Sequence, residues 1–167
     1  MPREKIVYIG LGSNMGNRAK ALARAEESME AAGIRILRRS SLYWTEPVDA
    51  PPQPWFLNAV LEAEMALMPK QLLQALAKIE RQMGRRRIVE RGPRPIDLDI
   101  LLYGTSVIHT PELEVPHAGM AHRRFVLAPL AELAPELRHP VLQRSIRELL
   151  ADTKDKGKVR LWNAADE

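Results

Sequence analysis

The segment Arg91-Gly-Pro-Arg-Pro-Ile-Asp-Leu-Asp-Ile-Leu-Leu-Tyr-Gly104 constrains this chain more than any other, because it sets two carboxylates inside what otherwise reads as a buried strand. Strand side chains alternate between faces, so Ile96, Leu98, Ile100 and Leu102 are expected on one face and Asp97 and Asp99 side by side on the other. Two unpaired carboxylates about 4 Å apart repel by roughly 4 kcal/mol at an effective dielectric of about 20, so the pair should share a proton or hold a cation. All-oxygen ligation favours magnesium, which takes one or two protein carboxylates and completes its shell with water and substrate phosphate. The alternative is a pair of solvated acids on an edge strand, where charge discourages edge-to-edge pairing.

The residues just upstream bear on that choice. Arg85, Arg86, Arg87, Arg91 and Arg94 crowd one loop, and guanidinium forks bind phosphate oxygens bidentately. A cation site flanked by arginines suits a polyphosphate. A basic surface loop, solvated or in contact with nucleic acid, is the competing reading. The net charge is only +4, although the sequence pI is near 9.6, and the basic excess gathers in this loop. A small anionic partner therefore fits at least as well as nucleic acid.

At 167 residues, 46% hydrophobic and 28% charged, the chain has the composition of one soluble globular domain. It has no cysteine, so disulfide and thiolate chemistry are excluded, and its four histidines lack zinc-ligand spacing. The apolar run Ile6 to Leu11 is too short for a signal-peptide core or a membrane span, and a cytoplasmic location is expected.

Periodicity supplies the element order. A strand over Lys5 to Gly10 precedes a helix capped by Asn14 or Asn17, with Leu22, Ala25, Met29 and Ala32 on one face and Gly33 as its stop. Ile34, Ile36, Leu42 and Trp44 predict one further strand, and Pro47, Pro51, Pro52 and Pro54 a stiff, extended connection. Leu57, Ala59, Leu61, Ala63 and Met65 alternate as a third strand, with Asn58 facing away from the core. Pro69 opens a helix that buries Leu72, Leu73, Leu76, Ile79 and Met83 and ends at Gly84. Strand, helix, strand, strand, helix, strand is the split βαβ order of a ferredoxin-like α+β fold, with a mainly antiparallel sheet and helices packed against it. Short helical pieces around Met120–Glu132 and Leu142–Ala151 are expected to follow, and then a charged tail whose order or mobility from about residue 152 the sequence leaves open.

Two more segments invite chemistry. Gly10-Leu-Gly-Ser-Asn-Met-Gly16 resembles a phosphate loop but lacks the P-loop lysine and the dinucleotide spacing, so the structural reading is favoured: close strand–helix approach at the glycines and a cap from Ser13 or Asn14. His117 and Arg123 are either structural or further donors to a phosphate site.

Taken together, Tyr8-Ile-Gly-Leu-Gly-Ser-Asn14, Tyr43-Trp-Thr-Glu-Pro47, Gln53-Pro-Trp-Phe-Leu-Asn58, Glu80 with Gly84-Arg85, Gly92-Pro-Arg-Pro-Ile-Asp-Leu-Asp99 and Val115-Pro-His117 through Phe125 resemble the 6-hydroxymethyl-7,8-dihydropterin pyrophosphokinases of folate synthesis. The resemblance implies a single pyrophosphokinase domain over residues 1–167, acting as a monomer with no nucleic-acid or membrane partner. It implies transfer of the β,γ-diphosphate of ATP to the pterin hydroxymethyl group, with two magnesium ions, AMP as product and no covalent enzyme intermediate. Asp97 and Asp99 would hold both metals, and Arg85 and Arg94 would stabilise the moving phosphates. His117, Arg123 and Arg87 would complete the phosphate and ribose contacts, while Leu73, Glu80 and Ile100 would border the adenosine. Phe56 and Phe125 would stack on the pterin, with Asn58 and the backbone of Thr45, Pro47 and Val48 reading its edge.

The chain departs from the family pattern at Arg91, where many members carry an aromatic residue, at Asp49 in place of a glycine, and at Ala118 beside the histidine. Two other classes share parts of the pattern. Nucleotidyltransferases combine Gly-Ser with Asp-x-Asp, but Ser13 and Asp97 lie far apart in this chain. RNA-binding ferredoxin-like sheets stack bases on surface aromatics, of which this chain has only 5%.

Overall fold

The structure is a computed structural model that describes residues 4–47, 50–84 and 92–163. Its central strand is β1 (Lys5–Ser13), which pairs antiparallel with β4 (Phe56–Met65) on one side and β5 (Asp97–Tyr103) on the other. Both β2 (Arg35–Arg39) and β3 (Tyr43–Thr45) pair with the far edge of β4, and β8 (Val159–Leu161) adds to β3. The result is a six-stranded sheet in the order β5-β1-β4-β3-β8 with β2 beside β3. Its β5-β1-β4-β3 core is the predicted ferredoxin-like arrangement. A separate ribbon joins β6 (Ile108–His109) to β7 (Glu114–Val115).

Each face of the sheet has its own core. Val7, Ile9, Leu11, Leu57, Leu61, Leu98 and Ile100 meet α1 (Arg18–Ala31) and α2 (Pro69–Gln82) on the first face. Tyr8, Val60, Leu101 and Leu102 meet a 3-10 turn (Met120–His122), α3 (Arg124–Leu133) and α4 (Ile146–Asp152) on the second. Helix ends follow their local chemistry. Asn17, the later of the two predicted caps, accepts from the Lys20 N–H at 3.1 Å, and Gly33 leaves α1 with a φ of 86°. Ser145 and Glu148 form a reciprocal capping box that starts α4.

Several expectations are corrected. The predicted second strand is two strands, because the chain jogs at Ser40 and Ser41. There Ser40 holds both backbone groups of Val60, and Glu132 of α3 accepts from the Ser41 N–H and hydroxyl and from the Tyr43 hydroxyl. Ala32 is the exposed C-cap of α1 rather than part of its buried stripe. Leu102 lies on the second face, opposite Leu98 and Ile100, because the register with β1 skips Leu101: Tyr8 faces Leu102 while Ile9 faces Ile100. This bulge resets the alternation, so Leu101 and Leu102 both reach the α3 side. In the tail, Val159–Leu161 form β8, and residues 164–167 lie outside the described residues.

Candidate active site

On the second face the covering helix α3 begins at Arg124, and beyond its start the sheet is open. By strand alternation the side chains there come from the face shared by Tyr8, Val60 and Leu101, two or four residues further along: Asn58 on β4 and Asp99 and Asp97 on β5. Between the two strands lies Gly12, opposite both Asn58 and Asp97. A Cβ on Gly12 would stand 2.6 Å from Asn58 Nδ2, so the glycine makes room for that amide and not for a strand–helix approach.

These three side chains line a cavity of about 290 Å³. Thr45, Glu46 and Pro47, with Phe56 behind them, form one wall, Arg123 and Phe125 form the other, and Arg94 closes the end beside the acids. Asn58, on the strand face turned away from the first core as expected, is buried. It accepts the Thr45 hydroxyl and donates to the Leu11 carbonyl at 3.3 Å, so its amide is oriented before any ligand arrives.

Arg94 Nη1 donates to Asp97 Oδ2 at 2.9 Å, which gives one of the paired acids an internal counter-charge. The Arg94 backbone is held by Asn14: its N–H donates to Asn14 Oδ1 at 2.7 Å, and its carbonyl accepts from the Asn14 N–H at 3.2 Å. Asn14 Nδ2 donates across to Gln53 Oε1 at 2.8 Å and to the Pro54 carbonyl at 3.0 Å. The predicted helix cap is therefore a buried pin between two loops of the site, and Ser13, also proposed as a cap, turns its hydroxyl to the Met15 carbonyl.

Asp99 faces His117 Nε2 at 3.9 Å. His117 Nδ1 accepts from the Gly119 N–H, which places the proton of the neutral ring on Nε2, toward that carboxylate. Burial, helped by the charge of Arg123 and opposed by Asp97 and Glu114, holds the imidazole pKa below its ordinary value. Arg123 lies flat on Gly119, where a Cβ would approach its Cζ to 2.6 Å, and sits 5.9 Å from the Phe125 ring centroid.

Nine of the residues predicted from sequence thus surround one cavity: Thr45, Pro47, Phe56, Asn58, Arg94, Asp97, Asp99, Arg123 and Phe125. His117 adjoins it through Asp99. Leu73, Glu80 and Ile100 do not line it; they belong to the contact between α2 and β5, where Ile100 is buried, Leu73 packs against the core and Glu80 Oε2 accepts the Leu98 N–H at 2.8 Å. Arg85, Arg87 and Val48, and the departures at Asp49 and Arg91, lie outside the described residues. A larger cavity of about 640 Å³, between the 3-10 turn, α4 and residues 152–155, contains only Arg123 of the predicted set.

Ala50 and Gln53 were missed as lining residues. They sit in a proline-rich stretch whose conformation has no periodic signal. The sequence separation of Ser13 and Asp97 also misleads, since Gly12 pairs directly with Asp97 and brings the Gly-Ser turn beside the acids. The RNA-platform alternative meets a physical obstacle: α3 and α4 cover the second face beyond the cleft, where such a sheet would lay out its bases.

Among the described residues, no group of three or more histidine, cysteine, aspartate or glutamate side chains is placed to hold a metal. Two alternating carboxylates with open space above them remain a donor set suited to magnesium, which draws its other ligands from water and phosphate. No described helix is long and apolar enough to cross a membrane.

Fold and cleft define a ferredoxin-like α+β protein that carries paired carboxylates, two guanidinium groups and two aromatic rings at one open end of its sheet. The family model for 7,8-dihydro-6-hydroxymethylpterin-pyrophosphokinase (HPPK) matches residues 8–135, and the chain belongs to that family. It is 42% identical over 159 residues to 2-amino-4-hydroxy-6-hydroxymethyldihydropteridine pyrophosphokinase of Pseudomonas aeruginosa, covering 95% of this chain and 98% of the relative. To the enzyme of the same name from Aquifex aeolicus it is 39% identical, covering 85% of this chain and 88% of the relative. It is 45% identical to the folic acid synthesis protein fol1 of Pneumocystis carinii over 84% of its length, but spans only 19% of that protein. It likewise spans only about a quarter of the folate synthesis bifunctional proteins of Arabidopsis thaliana and Pisum sativum. A crystal structure of wild-type Plasmodium falciparum HPPK-DHPS superposes with a TM-score of 0.71 over 89% of this chain and 44% of that one, at 17% identity, and shares the fold.

Proposed function

We propose that this protein transfers the β,γ-diphosphate of ATP to the hydroxymethyl oxygen of 6-hydroxymethyl-7,8-dihydropterin, releasing AMP, as a step of folate biosynthesis. The observation that carries the reading is the meeting, in one cavity, of the alternating pair Asp97 and Asp99 with the oriented amide of Asn58 and the rings of Phe56 and Phe125. A flat, polar bicycle needs stacking surface and a directed edge; a triphosphate needs a cation site and guanidinium donors. Both sets of groups border the same space.

In this reading Phe56 and Phe125 sandwich the pterin while Asn58, fixed by Thr45, reads its edge. Two magnesium ions held by Asp97 and Asp99 would neutralise the triphosphate and favour ionisation of the hydroxymethyl group. Arg94 and Arg123 add charge-assisted hydrogen bonds to phosphate oxygens, and Arg85 and Arg87 extend that role from outside the described residues. His117 donates from Nε2, and its burial favours the neutral ring. Leu73, Glu80 and Ile100 border the adenosine. The hydroxymethyl oxygen attacks the β-phosphorus in line, the bond from that phosphorus to the α,β-bridging oxygen breaks, AMP leaves with the bridging oxygen, and the proton passes to solvent. The reading takes the protein as a cytoplasmic monomer.

Incubation of the protein with ATP, magnesium and the hydroxymethyl dihydropterin, followed by chromatography, tests it. Equal amounts of AMP and a pterin diphosphate ester are expected. ADP with a pterin monophosphate would mean an ordinary kinase, and free pyrophosphate with a nucleotidylated pterin a nucleotidyltransferase; either result overturns the proposal.

A further inference from the structure

Arg123 and Phe125 form one wall of the cleft and flank the first residue of α3, yet the start of this helix has no cap of its own. Arg123 occupies the N-cap position without a side-chain capping bond. The missing acceptor comes from beyond the end of α4: Asp155 Oδ2 accepts the Arg124 N–H at 2.9 Å, and a carboxylate at that position also suits the helix dipole. The carboxylate's other oxygen accepts the Gly157 N–H at 2.8 Å, and Arg124 Nη1 closes the ring by donating to the Gly157 carbonyl at 3.1 Å. Upstream, the Thr153 hydroxyl donates to the His122 carbonyl at 2.7 Å and accepts from the Asp155 N–H at 3.3 Å.

One residue past Gly157 the same segment reaches the opposite wall. The Glu46 N–H donates to the Lys158 carbonyl and the Lys158 N–H donates to Glu46 Oε1, both at 3.1 Å. Val159 pairs with Thr45, whose hydroxyl orients Asn58. Past β8 the Trp162 N–H donates to the Leu42 carbonyl at 2.8 Å, and the Trp162 side chain packs against the first-face core, which anchors the far end. Residues 155–159 are thus a short strap joined to both walls of the cavity, and they lie beyond the 8–135 match to the family model.

We infer that Asp155 is a positioning residue for the pterin half of the cleft: through this strap it sets the spacing between the Arg123–Phe125 wall and the Thr45–Pro47 wall. The inference rests on the reading of that cavity as the pterin site. Asp155 itself does not line the cavity and touches no reacting group. Its removal should therefore weaken the ligand stacked on Phe125 far more than the triphosphate, which Asp97, Asp99 and Arg94 hold besides Arg123.

The test compares the wild type with Asp155→Ala, Asp155→Asn and the exposed control Lys156→Ala. Three quantities are read: affinity for the hydroxymethyl dihydropterin, affinity for magnesium–ATP, and backbone amide exchange at Arg124 and Glu46. Asp155→Ala is expected to weaken pterin binding about tenfold while ATP affinity stays within about twofold, and to speed exchange at both amides. Asp155→Asn, which keeps one acceptor oxygen, should fall between, and Lys156→Ala should match the wild type. Unchanged pterin affinity in Asp155→Ala, or equal loss of both ligands, overturns the positioning role. If Asp155→Ala does not fold, Asp155→Asn decides by the same criteria. Failure of the wild type to bind pterin instead defeats the functional reading; the strap is then judged on exchange alone, where an Asp155 variant that leaves Glu46 unchanged shows the walls are not coupled.

Discussion

Along the second face of the sheet, β1, β4 and β5 run through two regions with opposite chemistry. In one, Tyr8, Val60 and Leu101 are sealed under α3; in the other, two residues away on β4 and on β5, Asn58 and Asp99 face a cavity. The β1–β4 ladder runs regularly through both, and β5 departs from regular pairing only at the Leu101 bulge between them. What differs is cover, and the change occurs where α3 starts. A helix that ends part-way along a sheet leaves rigid strand positions exposed to a ligand, so the site takes its precision from the core beside it.

This contrast is most severely tested by exchanging acid and core truncations. Asp97→Ala or Asp99→Ala is expected to lower diphosphate transfer by about a hundredfold or more, with stability changed by no more than about 1 kcal/mol. Leu101→Ala, at a site only 1% exposed, should cost about 2–5 kcal/mol of stability while the folded fraction keeps its activity. Parallel assays of turnover and urea unfolding check both; a stability loss without an activity loss in the acid variants would erase the distinction.

Glycine substitution sharpens the same boundary. Gly12→Ala drives a methyl into Asn58 and should raise the pterin dissociation constant by about tenfold or more. Gly10→Ala adds a methyl 3.6 Å from Leu101, an ordinary contact, and should leave binding near normal. Calorimetric titration of both variants decides, and equal effects would mean that Gly12 serves the strand generally.

Asn58→Ala should weaken the pterin by about 1–3 kcal/mol, the usual penalty for an unpaired polar edge, and leave ATP binding nearly unaltered. Because this amide also ties Leu11 to Thr45, a modest drop in thermal midpoint is expected alongside.

The smallest effect lies away from the cleft, at His139. Its Nδ1 accepts from the Val141 and Leu142 N–H groups, and burial, then the charge of His122, lowers its pKa from the ordinary 6.5. The folded state therefore favours the neutral ring. Its stabilising contribution is full above about pH 6.5 and is lost as pH falls through the depressed folded value. The thermal midpoint of His139→Asn relative to wild type, measured from pH 7 down to pH 5, should rise toward the acid end; parallel curves would remove His139 from the acid response.

Much of the fold was legible because the ferredoxin-like core is written in periodicity and punctuation: Gly33 and Gly84 end their helices with positive φ, and Pro69 opens α2. The nine residues that meet in the cavity were legible for a different reason, as local motifs whose strand context placed them at one sheet end. Illegible features depend on partners distant in sequence. Asn14 looked like a cap because nothing in its neighbourhood announces Gln53 or Arg94 as its partners. The jog at Ser40 and Ser41 is held by Val60 and by Glu132, the latter 91 positions beyond Ser41, and β8 has only three residues, too few to show alternation.

The skipped residue at Leu101 has a consequence for how this protein can change. A strand in strict alternation transmits any one-residue slip along its whole length. Here the extra residue works as a phase break: it separates the half of β5 that presents acids from the half that packs Leu102 under α3 and sends the Tyr103 hydroxyl to the Leu67 carbonyl at 2.6 Å. On the second face the two halves answer to different demands, ligand geometry before the break and packing under α3 after it. A mutation that adjusts the pitch of the acid-bearing half is absorbed at the break before it reaches the packing under α3.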